Sequence, residues 1–336
     1  MTRKIAVIGL GYVGLPLAIR AAEKGYQVVG IDIDKRKINL LNKGIPPIGN
    51  GEFEKKLKKN APSLNFTNHY SGIEETSNII ICVPTPVNGD RTPNLEPLKK
   101  ACLGISRYLA KGQLVILEST VNPGVSEGII LPILEDGSKL KAGEDFYLSH
   151  CPERINPGNE VKELQHLYKI PRVVGGLEKK SLRKTVAFYR SIINASIKPM
   201  GSLQEAESVK MVENIFRDIN IALVNELAMS FDKLGIDVVN VINGAATKPF
   251  SFMPHYPGVG VGGHCIPVDP YYLIDYAKTN GFHHRFLELG REINSSMPKF
   301  TVELLKSALG EAHLDIDGAK IAVRMLTMIA RVRPLM

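Results

Sequence analysis

The sequence predicts an α/β fold, in which a doubly wound parallel sheet is followed by a helical domain with a long central helix. Short apolar runs alternate with helical segments up to about residue 203, a pattern typical of a parallel sheet with helices on both faces. From there to about residue 235, apolar residues recur at helical spacing with neither proline nor glycine between them. We therefore expect a sheet domain at 1–203, a helical domain at 204–310 and a third segment at 311–336.

The first domain contains apolar runs with the length of buried strands. Strands are expected at 5–8, 27–31, 78–83, 113–117, 146–149 and 172–174. Helices are expected from Gly14 to Lys24, at 95–109 and at 181–191. In the second domain we expect a second helix after the long one, a loop rich in glycine and proline at 254–270, and helices to about residue 309.

The charge balance limits the classes of partner. A net charge of +8 and a pI near 9.1 suit an anionic ligand, although a basic solvated surface explains them equally well. Basic and aromatic residues do not alternate as in nucleic-acid-binding proteins, so no nucleic-acid partner is expected. The sequence has no run of about 18 apolar residues, so we expect no membrane-spanning segment.

The four cysteines are Cys82, Cys102, Cys151 and Cys265, and no two of them form a C-x-x-C pair. Their scattered positions argue against a structural zinc site and against a disulfide framework, and we expect no metal. Reduced thiols fit a cytoplasmic location best.

A glycine-rich turn follows the first strand at once. Gly9, Gly11 and Gly14 form the pattern G-x-G-x-x-G between a strand and a helix, and Asp32 closes the next strand. This context is typical of a Rossmann-like dinucleotide site, where the glycines let the backbone approach a pyrophosphate. Asp32 would accept hydrogen bonds from ribose hydroxyls and repel a 2′-phosphate, which favours NAD over NADP. The alternative is a tight strand–helix turn without a ligand.

Two further loops follow strands at the edge where such sheets bind ligands. They are 83–86, with the letters VPTP, and 118–120, with the letters EST. Either segment alone could be an ordinary loop that ends a strand. The presence of both favours the interpretation that they line the cofactor site. The expected cofactor contacts are Gly9, Gly11, Tyr12, Val13, Gly14, Asp32, Lys37, Thr85 and Thr120.

The segment 262–270, Gly-Gly-His-Cys-Ile-Pro-Val-Asp-Pro, is the most informative for chemistry. Cys265 follows two glycines, which allow close approach to a ligand, and precedes a helix that Asp269 and Pro270 would start. A thiol near a helix N-terminus ionises more readily and becomes more nucleophilic. The alternative for Cys265 is a small buried apolar side chain. Asp269 is expected to be the N-cap of the helix, with Pro270 at its first position, whatever other role Asp269 has.

Polar residues on two other segments complete the candidate site. Lys210 and Asn214 are four residues apart on the long helix, so they share a face, and Arg217 falls on the same stripe. Glu153 and Arg154 follow a strand end and would bring a carboxylate and a guanidinium to the crevice. Exposed surface charges are the alternative for both groups.

These motifs occur in the order in which they appear in the UDP-glucose/GDP-mannose dehydrogenase family, and the chain resembles that family over roughly residues 3 to 308. The letters PERINPG at 152–158, Lys248-Pro249-Phe250 and Pro-Tyr-Tyr-Leu after Asp269 look most like members that act on UDP-N-acetylhexosamines. The resemblance implies an NAD-dependent oxidation of a sugar CH2OH group to the carboxylate, in two steps, through a thiohemiacetal and a thioester on Cys265.

The resemblance also implies roles for individual residues. Lys210 and Asn214 would stabilise the oxyanion, Glu153 would be the base in thioester hydrolysis, and Asp269 and Thr120 would position water. Contacts with the UDP-sugar are implied for Glu153, Arg154, Ile155, Lys210, Asn214, Arg217 and Gly262. A homodimer formed through the long helix is implied as well.

The resemblance stops near the end of the sequence. Residues 318–323 look like the first strand of a further domain that grips the UDP in the family, but the residues after them do not match its next turn. We therefore expect a truncated UDP-binding domain, with NAD binding and dimerisation retained. Two alternatives stay open: a hydroxyacid-type dehydrogenase, which also uses a helix lysine but needs no Cys265, and an inactive remnant that binds NAD and dimerises.

Overall fold

The computed structural model describes residues 3–48, 51–90, 92–154, 168–263 and 266–322. It divides into two compact units, Met1–Lys210 and Met211–Met336, and the division falls within the long helix. The expected domain boundaries at 203 and 310 remain predictions. In the described ranges, no helix combines the length and the apolar character that crossing a membrane requires.

The first unit is built on one eight-stranded sheet with the strand order β3-β2-β1-β4-β5-β6-β7-β8. The strands are β1 (Lys4–Ile8), β2 (Gln27–Ile31), β3 (Leu64–Thr67), β4 (Asn78–Ile81), β5 (Leu114–Leu117), β6 (Tyr147–His150), β7 (Arg172–Gly176) and β8 (Ile197–Pro199). The order reverses between β1 and β4, which is where doubly wound sheets bind ligands. The expected Rossmann-like sheet is confirmed.

The sheet differs from the sequence-based prediction in two respects. Strand β7 runs antiparallel to β6, whereas all other neighbouring strands are parallel. The sequence also did not predict β3 and β8. Each is only three or four residues long with a single buried side chain, Phe66 and Ile197 respectively, so neither forms an apolar run.

Helices cover both faces of the sheet. They are α1 (Gly14–Glu23), α2 (Lys35–Asn42), α3 (Gly51–Lys59), α4 (Glu96–Ser106), α5 (Leu131–Ser138) and α6 (Lys179–Ile192). A π-helical turn, Ser126–Ile130, leads into α5. Because successive strand residues point to opposite faces, Ile5 and Val7 pack in one apolar cluster with side chains of α1 and α6, while Ala6 and Ile8 pack in a second cluster with α4.

The remaining helices are α7 (Leu203–Leu234), α8 (Val238–Ala245), α9 (Asp269–Thr279) and α10 (Arg285–Glu311). Helix α7 confirms the expected long helix. The strand expected at 318–323 is wrong as far as the structure describes it, since residues 318–322 adopt no strand and pair with no described segment. Ile321 is 47% exposed, so no apolar layer covers it as a strand of a sheet would require.

Candidate functional site

The turn between β1 and α1 has the geometry of a dinucleotide cradle. Gly9 has φ +91°, and a Cβ there would lie 2.7 Å from the carbonyl oxygen of Cys82. At Gly14 a Cβ would lie 1.9 Å from the oxygen of Gly9, whereas at Gly11 it would meet no atom within 4 Å. Two glycines are thus needed to form the turn, and Gly11 leaves open space where a pyrophosphate could approach the N-terminus of α1. These residues fit NAD.

Asp32 lies at the end of β2, beside this turn, and is 8% exposed. Its Oδ2 accepts a hydrogen bond from the backbone N–H of Leu10 at 2.9 Å and is paired with Lys37 Nζ at 2.6 Å. Its Oδ1 accepts from the N–H of Asp34 at 3.0 Å. The carboxylate is therefore held in one orientation, with Lys37 as its counter-charge. Tyr12 is 63% exposed on the same turn.

The loops after β4 and β5 are tied to each other. The hydroxyl of Thr85 donates to the carbonyl oxygen of Thr120 at 2.6 Å, and that of Ser119 donates to the oxygen of Val83 at 2.7 Å. Both threonines are half-buried. The structure thus brings together Thr85 and Thr120, while their contact with the cofactor remains a prediction.

A buried ionic cluster begins at the first residue of the loop after β5 and is defined by Glu118, Glu153, Arg172 and Tyr189. The guanidinium Nη1 of Arg172 lies 2.9 Å from Glu153 Oε2 and 3.8 Å from Glu118 Oε2. Tyr189 donates its hydroxyl to Glu118 Oε1. None of the four residues is more than 7% exposed. Glu118 is therefore buried in the sheet domain with Arg172 and Tyr189 as its partners, while the lining of the cofactor site by the loop 118–120 remains a prediction.

Burial raises the pKa of Glu118 to about 7, although the charge of Arg172 opposes the rise. The neighbouring Glu153 carboxyl adds to it. Burial also raises the pKa of Tyr189 well above its ordinary value, so its hydroxyl keeps its proton.

This shift predicts a pH dependence of folding. A carboxyl with a raised folded-state pKa stabilises the fold below its ordinary pKa, and that stabilisation is lost as pH rises from about 4.5 to about 7. Across that window the loss corresponds to about 3 kcal/mol. In Glu118→Gln the side chain cannot titrate, so its unfolding free energy, measured with urea at each pH, should fall less than that of the wild type. The exposed control Glu74→Gln should follow the wild type; identical slopes for all three proteins would contradict the shift.

The side chains of Glu153 and Arg154, which were predicted to lie together in the crevice, have different partners in the structure. Glu153 is 7% exposed and bound to Arg172, and its Oε1 accepts from the N–H of Arg154 at 2.6 Å. The Arg154 guanidinium instead donates to the carbonyl oxygen of Pro171 at 2.8 Å. Sequence reasoning missed Arg172 and Tyr189. The one available signal was a charged residue opening the apolar strand β7.

In the second unit the structure joins Asn214 to Asp269. Asn214 Nδ2 donates to Asp269 Oδ2, and both side chains are buried. The expected N-cap role of Asp269 is wrong: Val268 is the N-cap of α9, and Asp269 is its first helical residue. The physical reason is that the Asp269 side chain accepts a hydrogen bond from Asn214 of α7, which is distant in the sequence, instead of capping α9.

The other predicted site residues are placed as follows. Lys210 is 9% exposed and Arg217 is half-buried, both on α7. A Cβ at Gly262 would meet no atom within 4 Å. Cys265 and Ile155 lie outside the described residues, so their predicted roles rest on the sequence.

Comparison with known protein families gives two matches. Residues 3–193 match the NAD binding domain of the UDP-glucose/GDP-mannose dehydrogenase family, and residues 204–296 match its central domain.

Individual relatives are similar over most of the chain. A UDP-N-acetyl-D-glucosamine 6-dehydrogenase of Pseudomonas aeruginosa is 41% identical over 324 residues, which is 96% of this chain and 75% of the relative. The solved structure of a UDP-D-ManNAc dehydrogenase from Pyrococcus horikoshii superposes with a TM-score of 0.87 at 38% identity, over 93% of this chain and 72% of the other. A UDP-glucose dehydrogenase from Pyrobaculum islandicum gives a TM-score of 0.83 at 27% identity, over 92% and 72%.

Proposed function

Because this chain belongs to the UDP-glucose/GDP-mannose dehydrogenase family, we propose that it oxidises C6 of a UDP-N-acetylhexosamine to the carboxylate with NAD. The main support is the open cradle at Gly11 beside the oriented carboxylate of Asp32. The hexosamine class is supported by relatives named for UDP-N-acetylglucosamine and UDP-N-acetylmannosamine, at 41% and 40% identity. A hydroxyacid-type dehydrogenase is not favoured by these similarities.

The proposed chemistry runs in two oxidations at one site. NAD, when bound, accepts a hydride from C6 in each oxidation. Between them, the Cys265 thiolate adds to the aldehyde and forms a thiohemiacetal, so the aldehyde is not released; the second oxidation leaves a thioester, which water hydrolyses. Lys210 and Asn214 would stabilise the negative oxygen in these steps.

Three further residues would act in the hydrolysis. Glu153 would accept a proton from water, while Asp269 and Thr120 would position that water. The pairing of Glu153 with Arg172 at 2.9 Å supports a carboxyl group that is held in one orientation, as a positioned base requires. The hydrogen bond from Asn214 supports a fixed orientation of the Asp269 carboxyl group. Arg154, Ile155, Arg217 and Gly262 would contact the substrate.

Substrate identity can be tested with a panel of UDP-sugars and this chain. UDP-N-acetylglucosamine and UDP-N-acetylmannosamine should each be compared with UDP-glucose for NADH release at equal concentration. Preference for one of the two acetylated sugars is the expected result. Turnover of UDP-glucose alone would contradict the substrate class, and NAD binding without turnover of any sugar would favour the binding-only alternative.

Replacing Asp32 tests the cofactor assignment. We expect Asp32→Ala to weaken NAD binding by about 10- to 100-fold, because the ribose would lose a charged acceptor and the N–H of Leu10 would lose its partner. Calorimetric titration with NAD and NADP gives both affinities. Asp34→Ala, which removes the nearby carboxyl that caps α2, is the matched control and should bind NAD within about threefold of wild type. Equal affinity in Asp32→Ala would show that the ribose assignment is wrong.

We also propose a homodimer formed through α7 and a cytoplasmic location. Val212, Phe216 and Leu223 are 60%, 48% and 52% exposed, and their spacing puts them on one face of the helix. Light scattering on the purified chain should give the mass of a dimer, and a monomer at micromolar concentration would contradict this proposal.

A further inference from the structure

Three buried polar residues form a stripe along one face of α7. Asn214, Asp218 and Asn225 are separated by four and seven residues, so they point within about 40° of one another around the helix axis. None is more than 5% exposed. Burying polar side chains is unfavourable unless each finds a partner. Their partners therefore indicate what the stripe holds in place.

Asn225 connects the stripe to the loop that leads to Cys265. Its Oδ1 accepts from the backbone N–H of Gly258 at 3.0 Å, and its Nδ2 donates to Asn294 Oδ1 on α10 at 2.8 Å. Asn294 Nδ2 then donates to Asp218 Oδ1 at 2.9 Å, and Arg291 donates to the same oxygen at 2.6 Å. Reversing either amide would set like groups against each other, so the chain of bonds fixes one orientation for both asparagines.

The same loop also packs closely on α10. Gly260 has φ +102°, and a Cβ there would lie 2.7 Å from the carbonyl oxygen of Asn294. Residue 298, four positions later in α10, is a proline. Proline has no N–H, so it cannot donate the helical hydrogen bond that this oxygen would otherwise accept. Both the left-handed backbone and the close approach require glycine at position 260.

The other end of the loop is held by the same stripe. Asp269 accepts from Asn214, which lies eleven residues before Asn225, or about three turns of α7. The guanidinium of Arg291 also lies over the ring of Tyr271, 5.6 Å from its centroid. The segment 258–269, which includes Cys265 in the sequence, is thus attached at both ends to one helix face.

We propose that Asn225 is a positioning residue, which together with Asn294 holds Gly258 and so fixes one end of the segment that carries the nucleophile. The anchoring stands on the described contacts alone, whereas its consequence for catalysis rests on the proposed function. Asn225 does not touch the substrate in this proposal. It acts through the loop backbone, by accepting the hydrogen bond from Gly258.

Hydrogen exchange and thiol alkylation test this anchoring without any turnover. In Asn225→Ala we expect the amide of Gly258 to exchange about tenfold faster, the effect of losing one buried hydrogen bond. The rate at which iodoacetamide alkylates Cys265, followed by peptide mass spectrometry, should change by a similar factor. NAD affinity should stay at the wild-type value. The matched control is Asn220→Ala on the same helix, whose amide contacts only the carbonyl of Phe216 among the bonds described.

Two further variants keep the test decisive. Asn225→Asp retains the oxygen that accepts from Gly258 and should restore part of the protection. Gly260→Ala disturbs the loop from its own side, so if Asn225→Ala fails to fold, Gly260→Ala should still reproduce the faster exchange and the altered alkylation. Unchanged exchange and alkylation in a folded Asn225→Ala protein, or in Gly260→Ala, would overturn the proposal.

The catalytic consequence is measured separately. If the wild type oxidises a UDP-sugar, Asn225→Ala should lower kcat by about 10- to 100-fold with little change in the KM for NAD, since misplacing a reacting group by about 1 Å has effects of this size. An inactive wild type would count against the proposed function, while the exchange and alkylation results would still decide the anchoring.

Discussion

The Cys265→Ser variant is expected to lose at least about 1000-fold in uronate formation, because a serine hydroxyl is hardly ionised near neutral pH and needs its own base to attack an aldehyde. At most one NADH should then form per sugar, since without the thiohemiacetal the second oxidation lacks its substrate. Chromatographic separation of the sugar nucleotide, aldehyde and acid would measure each product directly.

The matched control for this change is Cys102→Ala. Cys102 is a residue of α4 that packs in an apolar cluster and is fully buried, so its removal tests the loss of a thiol away from the proposed chemistry. We expect it to keep uronate formation within about threefold and to lower stability by about 1 kcal/mol. Unchanged uronate formation in Cys265→Ser would exclude the covalent mechanism.

Arg172→Met is expected to have the largest effect on stability. It would leave Glu153 and Glu118 buried beside each other with no cation, and breaking a buried ion pair from one side typically costs about 3–5 kcal/mol. Chemical denaturation at pH 7.5 would measure the loss. Arg183→Met, an exposed position of the neighbouring helix α6, is the matched control and should change stability by less than about 0.5 kcal/mol.

The origin of this loss can be separated from simple packing damage. If uncompensated carboxylates cause it, adding Glu118→Gln and Glu153→Gln to Arg172→Met should recover part of the stability, since no buried charge then remains in the cluster. A triple variant less stable than Arg172→Met alone would show that shape, and not charge, explains the effect.

Much of the sheet domain could be predicted because its signals are local. The apolar runs of β1, β2 and β4 to β7, and the position of Gly9, Gly11 and Gly14 between a strand and a helix, follow from neighbouring residues. Strands β3 and β8 exist because a partner strand supplies their hydrogen bonds, so their own residues carry little signal. The antiparallel direction of β7 is likewise set by tertiary pairing.

In the candidate site, too, features set by neighbouring residues could be predicted and features set by tertiary contacts could not. Asp32 was predictable because it closes the strand after the glycine turn. The pairing of Glu118 with Arg172 and Tyr189 was not, since these residues lie 54 and 71 positions further along the chain. Asp269 was assigned as an N-cap from its place before Pro270, but its partner is Asn214, 55 residues away. The chemical type of a site residue can be predicted from the local sequence, whereas the residue to which it is hydrogen-bonded or ion-paired depends on the fold.

The central claim is that one site carries out both oxidations. The most direct measurement is the ratio of NADH to uronate formed from UDP-N-acetylglucosamine or UDP-N-acetylmannosamine, whichever the chain oxidises, with NADH followed by absorbance and the acid by chromatography. The account predicts two NADH for each uronate throughout the time course, with no free aldehyde. One NADH for each sugar, with aldehyde accumulating and no acid, would contradict it.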